Sequence, residues 1–288
     1  MKQPQKLLEN KDLPPVTITK RQGLVIFSGP HNGYNVPAKL KPCLGMDEQW
    51  FHNAHEAMDL HIDKLFMTLE KHLDKVSFIS GNYSRLVCDL NALPDYAIAQ
   101  HSPEYNHIKI AQNQPDMCCV KQRIRRIEEI YWPYHDAKSQ LINDKRDKHD
   151  GVIVLDIHSF TPTWEQKKRN VELGTIRCEK TPFSRAFEDF LRSQDDFLFV
   201  SGEPYRVAEH PNNAAPLITE RNDLQYLGLE IRSDLISTDD GIKKITALLK
   251  NAIDHLLSHS DIDNITKKRS KTETDQNGHP IIHDSWSI

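Results

Sequence analysis

Apolar positions along this chain follow two rhythms: short unbroken runs, and longer stretches with helical spacing. Gly23-Leu24-Val25-Ile26-Phe27-Ser28 is a short run stopped by Gly29-Pro30-His31-Asn32-Gly33, which predicts a β-strand delivered into a turn. From Met46 to Asp74 apolar residues recur with a helical period (Ala54, Met58, Ile62, Leu65, Phe66, Leu69, Leu73), predicting one long amphipathic helix. Val76-Ser77-Phe78-Ile79-Ser80 reads as a strand, and residues 82–91 as a strand-like continuation. Residues 92–120 carry few apolar side chains and several Pro, Asn and His, an irregular insertion of the kind that rims a site. Helical periodicity returns over Lys121–Lys148, followed by a buried strand over residues 152–157. A loop rich in Thr and Pro leads to a strand-like Gly174-Thr175-Ile176 and a helix over residues 182–193. Two further apolar runs, Phe197-Leu198-Phe199-Val200 and Gly228-Leu229-Glu230-Ile231, precede a helix near residues 239–258.

Strands alternating with helices indicate an α/β fold with a mainly parallel or mixed sheet. The chain shows no internal repeat and no linker, so one domain is expected over residues 23–260. A polar leader, residues 1–22 with Pro14-Pro15, is expected to be extended, and the charged tail of residues 261–288 to fray.

Composition narrows the class. At 288 residues, 38% hydrophobic and 27% charged, the chain can bury a sizeable core yet is rather polar. Its net charge of −4 and dispersed basic residues argue against nucleic acid as a partner. No apolar run approaches the roughly 20 residues of a membrane span, and Met1–Lys6 lacks the apolar core of a signal peptide. A cytoplasmic protein with no membrane partner is therefore the expectation. The five cysteines, Cys43, Cys88, Cys118, Cys119 and Cys178, show no C-x-x-C spacing, which argues against a disulfide framework and a Cys-based zinc knot. The 15 histidines are the compositional outlier. Those in polar stretches read as solvated, and the informative ones stand beside strand ends.

The strand 152–157 runs into Asp156-Ile157-His158-Ser159, presenting a carboxylate and an imidazole where open α/β sheets place their sites. The strand before residue 28 delivers His31 into a turn whose glycines permit close backbone approach. Alone, His31 reads as an exposed turn residue. Beside His158 it is a second histidine at a strand's carboxyl end, and two such histidines with a carboxylate make the three-ligand pattern of a catalytic zinc. The carboxylate candidates are Glu56, Asp59 and Asp63, which on a helix share faces at i, i+3 and i, i+4 spacing or form an acidic solvated face. Glu230 stands inside an apolar strand, where an unpaired charge is expensive unless it faces a polar cavity. There, partial desolvation would raise its pKa toward the general-base range; the alternative is an edge strand with Glu230 and Arg232 facing water. Arg85 is either a surface ion-pair partner or a clamp for a carboxylate or oxyanion. His135 lies in the aromatic cluster Tyr131-Trp132-Pro133-Tyr134-His135, packed among rings or touching substrate, and Tyr205 follows a turn at Gly202-Glu203-Pro204.

The set resembles the N-formylglutamate amidohydrolase family, which belongs with zinc carboxypeptidase-like hydrolases. The matching pieces run in order. They are Pro30-His31-x-Gly33, Asp59 within residues 57–65, Ser84-Arg85-Leu86-Val87-x-Asp89-Leu90-Asn91, and Tyr131-Trp132-Pro133-Tyr134-His135-Asp136-Ala137. They continue with Asp156-x-His158-Ser159, Glu203-Pro204-Tyr205 and Glu230-Ile231-Arg232-x-Asp234-Leu235-Ile236. The resemblance implies a phosphorylase/hydrolase-like three-layer α/β sandwich with a mixed, mainly parallel central sheet. It also implies a metal-dependent amidohydrolase that cleaves the amide of a small N-acyl amino acid with a zinc-activated water. A carboxypeptidase-like peptidase acting on a small peptide and an inert metal-binding protein are the alternatives.

Carried over by position, His31 and His158 are zinc ligands, with another divalent ion also compatible, and Glu230 is the catalytic carboxylate. Asp59 is the favoured third ligand, ahead of Glu56 and Asp63. Arg85 joins Glu230 in the catalytic set, and Asn91, His135 and Tyr205 are assigned to substrate. Asp156 either orients a ligand or lies buried below the site. Two departures stand out. Zinc carboxypeptidases take their carboxylate from His-x-x-Glu, whereas Tyr34 stands three residues after His31. Family members commonly follow Asp-Leu-Asn with Arg, whereas Ala92 stands here, which puts formylglutamate itself in question as the substrate.

Overall fold

A computed structural model of the chain describes residues 6–40, 59–100, 113–114, 118, 120–164, 166–176, 181–205 and 224–258. Its organising element is β4 (Ile153–Phe160), buried along its whole length and longer than the apolar run that announces it. Side chains on a strand alternate between faces. Ile153, Leu155 and Ile157 accordingly enter one hydrophobic cluster and Val154 enters another.

Around β4 are assembled β1 (Val16–Thr19), β2 (Val25–Gly29), β3 (Ser77–Gly81), β7 (Leu173–Ile176), β8 (Phe199–Ser201) and β9 (Gln225–Arg232). The order in this seven-stranded sheet is β1-β3-β2-β4-β9-β7-β8. The β3–β2, β2–β4, β4–β9 and β7–β8 pairs are parallel, and the β1–β3 and β7–β9 pairs are antiparallel. The sheet is thus mixed and mainly parallel. Two short strands, β5 (Thr163–Trp164) and β6 (Lys167–Lys168), form a separate hairpin just after β4.

Helices cover both faces, completing a three-layer α/β sandwich. On one side α1 (Ile62–His72), α4 (Pro182–Arg192) and α5 (Asp239–Ser258) pack Leu65, Leu69, Phe183, Phe187, Ile245 and Leu249 against the alternating aliphatics of β4 and β9. On the other, α2 (Val120–Arg126) runs through a π-helical turn, Ile127–Tyr131, into α3 (Trp132–Arg146). Ile130, Tyr134, Leu141 and Ile142 pack there on Ile26, Ile79, Val154 and Tyr226. No described helix is long and apolar enough to cross a membrane.

Three local expectations change, and a fourth lies partly outside the described residues. The predicted helix over 46–74 is α1 alone within the described residues, since residues 46–58 lie outside them and Asp59 and Leu60 precede the helix. His61 adopts a left-handed conformation at φ 67°, which fixes the chain's entry into α1. Residues 82–91 are a turn rather than strand, with the N–H groups of Val87 and Cys88 both donating to the Ser84 carbonyl. The stretch read as a leader contributes β1, whose Val16 and Ile18 pack against the second cluster. Of the expected irregular insertion over 92–120, residues 101–112, 115–117 and 119 lie outside the described residues.

Candidate metal centre

Unequal strand lengths make the site. The β2–β4 pairing stops at Ser28↔Asp156, whereas β4–β9 pairing continues through His158↔Glu230 to Phe160↔Arg232. Beyond Gly29 the chain leaves the sheet, and the turn carrying His31 lies beside the part of β4 that β2 does not pair. The ring centroids of His31 and His158 lie 5.0 Å apart. The turn is pressed against the β3 side: a Cβ on Gly33 would lie 2.1 Å from the Asn82 carbonyl carbon, so only glycine fits.

Asp59 closes the group from the segment ahead of α1. Its Oδ1 lies 3.2 Å from His31 Nδ1, and its Oδ2 lies 3.0 Å from His158 Nδ1. The backbone N–H of Ser159 donates to the same Oδ2 at 3.2 Å. Two further bonds pin the Asp59 loop: Tyr34 Oη donates to the Asp59 carbonyl at 2.9 Å, and Ser159 Oγ to the Leu60 carbonyl at 2.9 Å. One ligand atom from each of His31, Asp59 and His158 lies within 4.8 Å of the others, and all three residues are buried. Such a cluster suits a divalent ion bound by nitrogen and oxygen donors.

The hydrogen bonding supports that reading independently. His31 Nε2 lies 2.8 Å from Asp89 Oδ1 and donates to it. In the neutral ring this leaves Nδ1 as an acceptor, and that buried atom has no hydrogen-bond partner among the described residues while facing the Asp59 oxygen. Two acceptors 3.2 Å apart need a positive centre between or beside them, a metal ion or a proton. Burial and the Arg85 guanidinium push the His31 pKa down, but Asp89 and Asp59 prevail and hold it above its ordinary value. Burial raises the Asp59 carboxyl, yet His31 and His158 bring it well below the usual carboxylate range. Asp89 is likewise lowered against burial by Arg85 and His31. The pocket is therefore built to attract positive charge.

Glu230 belongs to the same face. Paired in register with His158 on the neighbouring parallel strand, it points to the same side of the sheet and is 4% exposed.

Residues 24–237 match the family model described as N-formylglutamate amidohydrolase. This chain belongs to that family. The fold agrees with solved structures: a gene product from Agrobacterium tumefaciens is 23% identical, with a TM-score of 0.78 over 88% of this chain and 98% of that one. An N-formylglutamate amidohydrolase from Ralstonia eutropha is 16% identical, with a TM-score of 0.61 over 83% of this chain and 96% of that one. No curated protein matches the chain.

In this N-formylglutamate amidohydrolase family member the remaining candidate residues fall at different depths. Arg85 braces the acidic groups of the site: Nη1 donates to Asp59 Oδ1 at 3.1 Å, and Nη2 and Nε to Asp89 Oδ2 at 2.8 and 3.2 Å. Asn91 is half-buried, and its backbone N–H donates to Asp89 Oδ1 at 2.9 Å. His135 stacks on Tyr131 with centroids 4.2 Å apart and bonds to the Leu90 backbone. Burial and the nearby Lys138 push its pKa down to about 4, and its buried Nε2 has no partner among the described residues. Tyr205 lies further along the same face, its ring 5.2 Å from the Arg169 guanidinium.

Asp156 lies below the cluster. Lys138 Nζ donates to its Oδ1 at 2.8 Å and Tyr226 Oη to its Oδ2 at 2.9 Å. The carboxylate that holds the His31 ring is instead Asp89, whose sequence signal was an acid closing the apolar Leu86-Val87-Cys88. Tyr34 occupies the place of the expected Glu and secures Asp59 through its backbone. Of the alternative ligands, Glu56 lies outside the described residues, and Asp63 is half-buried on α1, apart from the cluster.

Proposed function

We propose that this chain is a metal-dependent amidohydrolase that cleaves the amide bond of a small N-acyl amino acid. The observation that carries the proposal is the pairing of an acceptor, His31 Nδ1, with Asp59 and His158 around one point, with Glu230 in register beside His158. His31, Asp59 and His158 would hold the ion, for which zinc fits the donor set and another divalent metal is the alternative. When bound, such an ion supplies a Lewis acid that polarises a carbonyl and lowers the pKa of water toward about 7.

The chain's own residues do the rest. Glu230 accepts a proton from the attacking water as its oxygen bonds to the acyl carbon, and returns that proton to the amine nitrogen as the C–N bond breaks. The products are a carboxylic acid and an amine. Asp89 holds the His31 ring through Nε2, and Arg85 fixes Asp89 and Asp59 so that both carboxylates keep one orientation. His135, neutral at working pH, offers Nε2 as an acceptor to substrate, with Asn91 and Tyr205 on the same side.

The test is elemental analysis of protein purified without added metal, followed by an assay for formate, other acids and free amino acids from a panel of N-acyl amino acids and small peptides. About one divalent ion per chain and amide turnover are expected, with both lost in His158→Ala. Full turnover by that variant without bound metal overturns the assignment.

A further inference from the structure

The outer face of α2 and α3 carries apolar side chains that the core does not use. Val120 is 71% exposed, Ile124 50% and Trp132 45%. With Tyr96 they are four of the eight large apolar side chains exposed among the described residues. Single exposed ones are ordinary, whereas a cluster marks a contact surface. The π-helical turn Ile127–Tyr131 is what gathers them. At about 100° per residue, plain α-helix from Val120 to Trp132 would turn the second about 120° away from the first. A π turn takes in one extra residue, which removes about 100° of that and returns Trp132 to the side of Val120 and Ile124.

The segment that follows Asn91 forms a second wall opposite the helix. Tyr131 Oη donates to the Ala92 carbonyl at 2.9 Å and Arg123 Nη1 to the Ile98 carbonyl at 3.3 Å, which fixes that wall in place. Between the walls lies a groove of about 400 Å³, room for large side chains, with Val120, Ile124, Ile127 and Trp132 as apolar lining and Arg123 and Glu128 among its charged members.

Charge selects the occupant. Lys121, Arg123 and Arg125 precede residue 126, and Glu128 and Asp136 follow it. Arg126 is buried, and Glu129 accepts the N–H groups of Leu7 and Leu8, so neither adds to the outer face. A face with bases at one end and acids at the other is complementary to itself turned end for end. A two-fold axis between residues 125 and 126 sets Ile124 against Ile127, and Arg123 against Glu128, of the other copy. A parallel pairing would oppose like charges instead.

We propose that this groove is the contact surface of a homodimer, in which the α2 helices of two copies lie antiparallel, each along the groove of the other. The Ile124–Ile127 contact and Trp132 are its apolar anchors, and the Arg123–Glu128 pairs fix its direction. The inference stands apart from the amide-hydrolysis reading, since no residue of the metal centre takes part.

The test is the mass of the full chain by sedimentation equilibrium over micromolar concentrations. Wild type is expected at twice the chain mass. Ile124→Glu, which alters an exposed side chain, should weaken the dimer by about 30-fold or more with helix content unchanged. Arg123→Glu and Glu128→Arg should each weaken self-association by about tenfold or more. An equimolar mixture of those two variants should regain near wild-type strength, because only the mixed pair opposes unlike charges at both contacts. A monomeric wild type, which leaves the groove to a different partner, overturns the proposal. So does a dimer that Ile124→Glu leaves intact, or a mixture no tighter than its components.

Discussion

The two faces of the central sheet are made from the same strands and do opposite work. On β4, Ile153, Leu155 and Ile157 alternate with Val154, Asp156 and His158; on β9, Leu227, Leu229 and Ile231 alternate with Tyr226, Gly228 and Glu230. The first set meets the α1, α4 and α5 helices in a continuous aliphatic and aromatic cluster. The second meets α3 low on the sheet, and above that point it turns polar, rising from Asp156 to His158 and Glu230. Both faces are buried, so the difference lies in how burial is stabilised. Hydrophobic transfer stabilises one, while on the other the buried carboxylates of Asp59, Asp89 and Asp156 each have an opposite charge or donor at hydrogen-bond distance. One face fixes the strands, and the other spends that rigidity on a site.

Substitutions that separate chemistry from stability sharpen this contrast. Glu230→Gln should lower kcat by about a thousandfold or more while metal content and thermal midpoint stay near wild type. A large fall in melting temperature would instead make Glu230 part of the scaffold. Lys138→Met leaves Asp156 buried without its cation and should destabilise the fold by about 4 kcal/mol in denaturant titration, more than a single apolar truncation. The matched change on the other face, Leu155→Ala, should cost about 3 kcal/mol yet leave metal stoichiometry intact in the folded fraction. If the two variants behaved alike in metal binding and stability, the division between faces would collapse. The smallest effect is expected for Tyr34→Phe, which removes one hydrogen bond to the Asp59 backbone and should weaken metal affinity by roughly fivefold, about 1 kcal/mol, as read by competition with a chelator.

Much of the architecture was legible because it depends on local pattern. Apolar runs marked β2, β3, β4, β8 and β9, and helical spacing marked α3, α4 and α5, since alternation and amphipathic periodicity are set by neighbouring residues. The same pattern misled just ahead of α1, over residues 59–61. Its periodicity placed Asp59 on a helical face shared with Asp63, whereas the left-handed His61 separates Asp59 from α1 and turns it toward β4. Residues 82–91 misled for a related reason, as the run Leu86-Val87-Cys88 is apolar because the turn is buried under α2 and α3, not because it is a strand.

By itself, the sequence determined that polar side chains able to bind metal or move a proton stand where apolar runs end or are interrupted, at His31, His158 and Glu230. Tertiary structure alone decided which carboxylate joins them. Asp59 and His158 are 99 residues apart, and His31 and Asp89 are 58 apart, and nothing local encodes either meeting. They meet because β2 stops pairing before β4 does, leaving room for a returning turn. That room depends on strand register, and register is fixed only when the whole sheet closes.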